Sequence, residues 1–130
     1  MGSVAARSAV AEDLNARFGC NATADELLLC CGAAPEVSAV CKALTTEGAE
    51  IMVFAPYFPE YKPYVEQAGA IFRIVPADIP DFQLNLTALE QMLTPNTSAV
   101  IVNNPNNPVG SVYSTETITK LAALLERKSA

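Results

Sequence analysis

Residues 51–75 read IMVFAPYFPEYKPYVEQAGAIFRIV. A short, unbroken apolar run, Ile51–Ala55, and a second strand candidate, Ala70–Val75, flank a helical segment from about Pro59 to Ala68 that Gly69 ends. Runs this short are strands rather than helices. A strand apolar at every position is covered on both faces. Strand, helix and strand in this order form a parallel unit with a right-handed crossover.

The same rhythm extends in both directions. Upstream, Leu27–Cys31 is a further apolar run, broken by Gly32. Pro35 then fits the first turn of a helix through Val37, Val40, Cys41 and Leu44, with Gly48 closing it. Downstream, residues 76–84 hold Pro76 and Pro80 and read as loop. Asn85 caps a short helix carrying Leu86, Leu89 and Leu93, and Ser98–Val102 is the fourth strand. Ser114 caps a last helix with Ile118, Leu121, Leu124 and Leu125 on one face. A leading helix over residues 4–18 is expected to bury Val4, Ala9 or Val10, Leu14 and Phe18, and to wet Arg7, Glu12, Asp13 and Arg17. The expected class is α/β: a three-layer α/β/α arrangement with a mostly parallel sheet of about four strands.

Composition narrows the function. The chain of 130 residues has no histidine, which removes Ser-His-Asp hydrolysis, Cys-His proteolysis and His-ligated metal sites. Its 14 acidic and 8 basic residues give a net charge of −6, which argues against a nucleic-acid or anionic-membrane partner. Cys20, Cys30, Cys31 and Cys41 show no metal-knuckle spacing and read as reduced, mostly buried thiols of a cytoplasmic protein, with no metal. No apolar run reaches the ~18 residues of a membrane span. Residues 1–3 are polar and read as a cloning remnant rather than a signal peptide, leaving 4–130 as the domain.

In parallel α/β folds the ligand lies beyond the carboxyl ends of the strands. Strand one ends in Cys31-Gly32-Ala33-Ala34-Pro35, where small residues lead into a helix start that suits a phosphate. Strand two ends in Ala55-Pro56-Tyr57-Phe58-Pro59-Glu60-Tyr61, with aromatics able to stack on a flat ring. Strand four ends in Asn103-Asn104-Pro105-Asn106-Asn107-Pro108-Val109-Gly110, a rigid turn bearing directional amides. Asn107-Pro108 is a candidate cis peptide.

Together these segments give the chain, from about Ala5 to its end, a resemblance to the pyridoxal-phosphate-dependent aminotransferases of class I/II, the aspartate aminotransferase superfamily of fold type I. Asn104 to Gly110 looks like that family's N-P-x-N-P-T-G motif, and Pro56-x-Phe58-x-x-Tyr61 like its P-x-aromatic-x-x-Y segment. The resemblance implies that backbone N–H groups of Ala33 and Ala34 bind the cofactor phosphate, with Gly32 making room. By the same resemblance Phe58 stacks on the pyridine ring, and Asn107 donates to the ring's 3-hydroxyl oxygen. Three departures stand out: Val109 for the usual threonine, Pro35 where an N–H is common, and Phe58 where tyrosine or tryptophan is commoner.

The family also needs a Schiff-base lysine, an aspartate for the pyridine nitrogen and an arginine for the substrate carboxylate. All lie downstream of the asparagine-proline motif, and this chain ends 20 residues after Gly110. Lys120 and Lys128 fall in the last helix, and the sequence ends in mid-helix. The expectation is therefore a truncated central piece of the cofactor-binding large domain, with no catalytic residue of its own and inactive alone.

Its parent is expected to be a homodimer moving an amino group between an amino acid and a 2-oxo acid. Two other readings stay open: a carbon–sulfur lyase or cyclopropane-forming synthase of the same fold type, and a non-catalytic α/β module. In the family's larger sheet, strand one is separated from the other three by strands from farther along the chain. Leu27–Cys31 is thus expected either to re-pair beside Ser98–Val102 or to leave bare edges through which copies self-associate.

Overall fold

The computed structural model describes residues 2–129. They fall into two compact units, one up to Val37 and one from Ser38 onward.

In the first unit, α1 runs over Val4–Phe18. Ser3 caps it by accepting the Ala6 N–H, and Gly19 ends it in the left-handed region. A 3-10 turn follows at Ala24–Glu26. Thr23 donates from both its N–H and its hydroxyl to the Glu26 carboxylate. The hydroxyl bond is the main reason that carboxyl titrates below its usual range.

The buried face of α1 differs from the expected one. Val4 and Phe18 are exposed, while Arg7 and Ala11 are buried. The Arg7 guanidinium donates to the Ala24 carbonyl and lies 3.6 Å from the Asp25 carboxylate. A polar anchor on the 3-10 turn, not the apolar spacing, selects the face that faces inward.

Leu27–Cys31 forms no strand, so the fourth strand and its re-pairing with Ser98–Val102 are both absent from this chain's sheet. Leu27 is extended, but a strand persists only where a neighbour takes its backbone hydrogen bonds. Leu28 and Leu29 stay exposed.

α2, over Ala33–Leu44, contains the boundary between the units. The second unit continues with β1 (Glu50–Phe54), α3 (Tyr61–Ala68), β2 (Ile71–Val75), α4 (Leu86–Met92), β3 (Thr97–Ile101) and α5 (Thr115–Ser129). The three strands are parallel in the order β2-β1-β3. β1 and β2 pair from Glu50↔Ile71 to Phe54↔Val75. Against β3 the register slips once: Glu50 faces Thr97 and Ile51 faces Ala99, so Ser98 is a bulge. Its hydroxyl donates to the Glu50 carbonyl at 3.2 Å.

Every residue of β1 is buried. Successive side chains point to opposite faces, so both faces of the central strand are covered. Met52 and Phe54 join Val75, Leu84, Leu89, Tyr113, Leu121 and Leu124 in one core, which brings α4 and α5 onto that face. Ile51 and Val53, on the other face, are buried too, and α3 buries Val65 and Ala68. Lys42 of α2 donates to the Ala68 carbonyl at the end of α3.

Caps read from sequence hold: Asn85 Oδ1 accepts the Ala88 N–H, and Ser114 Oγ accepts the Thr117 N–H. α3 begins at Tyr61 rather than at Pro59, because Phe58 to Glu60 form the turn that precedes it. Asn107–Pro108 is cis, as are Ala55–Pro56, Ile79–Pro80 and Asn104–Pro105. Of the cysteines only Cys41 is buried; Cys20 and Cys31 are exposed and Cys30 is half-buried.

Candidate cofactor site

Gly32 precedes α2 with φ +90°, a backbone conformation that glycine adopts without strain. A Cβ built there meets nothing within 4 Å. The positive φ by itself calls for glycine, and the space beside its α-carbon is open. Ala33 and Ala34 open the helix and are exposed, leaving first-turn N–H groups that have no carbonyl within the helix to bond. Pro35 sits in that same turn, where a missing N–H costs the helix nothing. Glu36 also lies in it and brings its own negative charge to that helix end.

Phe58 lies beyond the carboxyl end of β1, half-buried, with its ring edge-on to Tyr61 at 5.7 Å between centroids. Burial raises the Tyr61 phenol above its usual value. Tyr57 turns the other way, edge-on to Phe72 of β2 at 5.3 Å.

Beyond β3, the four asparagines have separate tasks. Asn103 Oδ1 accepts the Asn107 N–H at 2.8 Å, and Asn104 Oδ1 accepts the Tyr113 N–H at 3.0 Å. The buried Asn106 side chain donates to the Pro56 carbonyl and to the Tyr113 hydroxyl, both at 3.1 Å. Among the described residues, the exposed Asn107 carboxamide has no partner and is free to bond a ligand.

The loops carrying Phe58 and Asn107 follow neighbouring parallel strands and are tied by the Asn106–Pro56 bond. Gly32, Ala33 and Ala34 belong to the other unit. Asn106 and Tyr113 were not singled out by sequence. Asn106 stood unassigned inside the motif, and an isolated tyrosine three residues past Gly110 carries no pattern of its own.

No lysine stands at a strand end: Lys42, Lys62, Lys120 and Lys128 are all on helices. Lys62 and Lys120 pair with Glu66 and Glu116. Among the described residues there is no group of three or more Cys, Asp or Glu placed to hold a metal ion, and no helix is long and apolar enough to cross a membrane.

Residues 1–130 match the family described as aminotransferase class I and II. The chain belongs to that family. It is 36% identical over 129 residues to a probable N-succinyldiaminopimelate aminotransferase of Mycobacterium tuberculosis, covering 96% of this chain and 32% of the relative. To nicotianamine aminotransferase B of Hordeum vulgare it is 34% identical, covering 98% of this chain and 23% of that protein.

Among solved structures, an aminotransferase from Eubacterium rectale superposes with a TM-score of 0.96 at 49% identity, over 98% of this chain and 32% of that one. The aspartate aminotransferase of Thermus thermophilus with maleate gives 0.92 at 30% identity, over 98% and 34%. The chain thus spans a third or less of the curated relatives named here. Aminotransferases of this class use pyridoxal phosphate. Taken unit by unit, the donors suit such a cofactor: in the first, open helix-start amides for an anion; in the second, beyond β1 and β3, an aromatic ring for the pyridine and a free carboxamide for the phenolic oxygen.

Proposed function

We propose that residues 4–130 are the central part of a pyridoxal-phosphate-binding large domain, in an enzyme that moves an amino group between an amino acid and a 2-oxo acid. The cofactor supplies the electron sink and the amino-group carrier when bound. This chain's residues bind and orient it: N–H groups of Ala33 and Ala34, beside Gly32, for the phosphate; Phe58 for the ring; Asn107 for the 3-hydroxyl oxygen. The observation that carries the reading is the Asn107 carboxamide, left unbonded while the other asparagines of its loop are all engaged. Lysine, aspartate and arginine for the chemistry come from outside this chain, so the chain alone binds weakly and turns nothing over. The whole enzyme is a cytoplasmic homodimer in this reading, which the unpaired cysteines support for the compartment.

The test is a titration of the isotopically labelled chain with pyridoxal phosphate, followed by amide chemical shifts. Shifts at Gly32, Ala33, Ala34, Phe58 and Asn107, with weak affinity and no stoichiometric absorbance change, are expected. Shifts confined to other residues, or amino transfer above the blank, would overturn the reading.

A further inference from the structure

We propose that Asn106 is a positioning residue, clamping the loop that bears Asn107 to the loop that bears Phe58. The β1–β3 ladder ends at Val53↔Ile101, so past that pair no strand hydrogen bonds hold the two chain segments together. Asn106 replaces them. It is 7% exposed, and its side-chain nitrogen donates across to the Pro56 carbonyl at 3.1 Å. The second proton goes to the Tyr113 hydroxyl at 3.1 Å, itself on a residue 5% exposed. Its side-chain oxygen accepts the Val109 N–H at 3.4 Å. Its backbone closes the turn, donating to the Ser111 carbonyl and accepting from the Gly110 N–H.

The site needs two donors and an acceptor on one short, uncharged side chain, and only asparagine meets this without burying a charge. The buried Asn106 side chain is costly to leave unpaired, so its bonds to the half-buried Pro56 carbonyl and to Tyr113 hold the clamp in place. That Phe58 and Asn107 meet a cofactor rests on the function proposed above; the clamp itself rests on the geometry alone.

The experiment is amide hydrogen exchange, read by NMR on the 130-residue chain. In the unmodified chain the Asn106 carboxamide protons exchange at least about tenfold more slowly than those of Asn107. In Asn106→Ala, the Tyr61 N–H, which bonds the Phe58 carbonyl, and the Gly110 N–H quicken together by about tenfold, while Ile71 in the sheet is unchanged. Tyr113→Phe conserves shape and produces a smaller joint quickening of the same two amides, which decides the matter even where Asn106→Ala does not fold.

Titrated with pyridoxal phosphate, both variants bind several-fold more weakly although Phe58 and Asn107 are intact. Quickening at Gly110 with Tyr61 unaffected, or a fast-exchanging Asn106 carboxamide in the unmodified chain, overturns the clamp. Joint quickening in a chain whose Phe58 and Asn107 never respond to pyridoxal phosphate keeps the clamp and removes the cofactor reading.

Discussion

Cys41 lies on the inward side of α2, and burial raises its thiol above the usual value. The shift favours the protonated form in the folded chain. Its contribution to stability is therefore complete below the unfolded thiol value and declines as pH rises through and beyond about 9. Alkylation needs the thiolate and access, so at about pH 8 iodoacetamide modifies the exposed Cys20 and Cys31 at least about tenfold faster than Cys41. Peptide mapping after timed labelling checks this, and urea abolishes the difference. At this scale Phe58 and Asn107 stood out in the sequence because each occupies a fixed place in a recognisable motif spacing. Arg7 was not. Its spacing put it on the wet side of α1, whereas its bonds to Ala24 and Asp25 draw it inward.

The start of β1 illustrates the scale of elements. Glu50 is buried, with one carboxylate oxygen on the Arg73 guanidinium at 3.0 Å and the other accepting the Thr94 hydroxyl at 2.8 Å. Three segments, β1, β2 and the turn before β3, are thus joined at one carboxylate, next to the Ser98 bulge that sets the β3 register. Arg73→Ala leaves that carboxylate with half its partners. Because Arg73 itself is 39% exposed, water recovers part of the loss, and the expected cost is about 1–3 kcal/mol. Urea unfolding should show a lower midpoint with an unchanged slope. The caps at Asn85 and Ser114 were readable because a cap and its helix are neighbours in sequence. Glu50 was not, since its partners lie 23 and 44 residues away and the run it opens reads simply as apolar.

On the scale of the whole molecule, the described residues hold a three-stranded sheet whose outer strands, β2 and β3, each have one neighbour. Ile71 and Ile74 of β2 are exposed. Unpaired edges of this kind add strands from other chains. Sedimentation velocity at rising concentration should show reversible self-association, despite a net charge of −6. Ile74→Lys should raise the concentration needed by about tenfold, equivalent to about 1.4 kcal/mol. The lysine also reduces the net negative charge, so association that merely tracked overall repulsion would strengthen instead. A single species at every concentration would overturn this expectation.

The features readable from the order of residues are local or periodic. Short, largely apolar runs at Ile51–Ala55, Ala70–Val75 and Ser98–Val102 specify strands, and prolines and asparagines around residues 103–110 specify a rigid amide-bearing turn with family-level meaning. Those properties depend on neighbours a few positions away, so they survive in a string of letters. Tertiary structure alone decided the rest. Leu27–Cys31 has the composition of a strand and forms none, because a strand exists only through a partner's hydrogen bonds. The asparagines of the turn look alike in sequence, and only the approach of Pro56 and Tyr113 divides them into a buried clamp, two turn supports and one free donor.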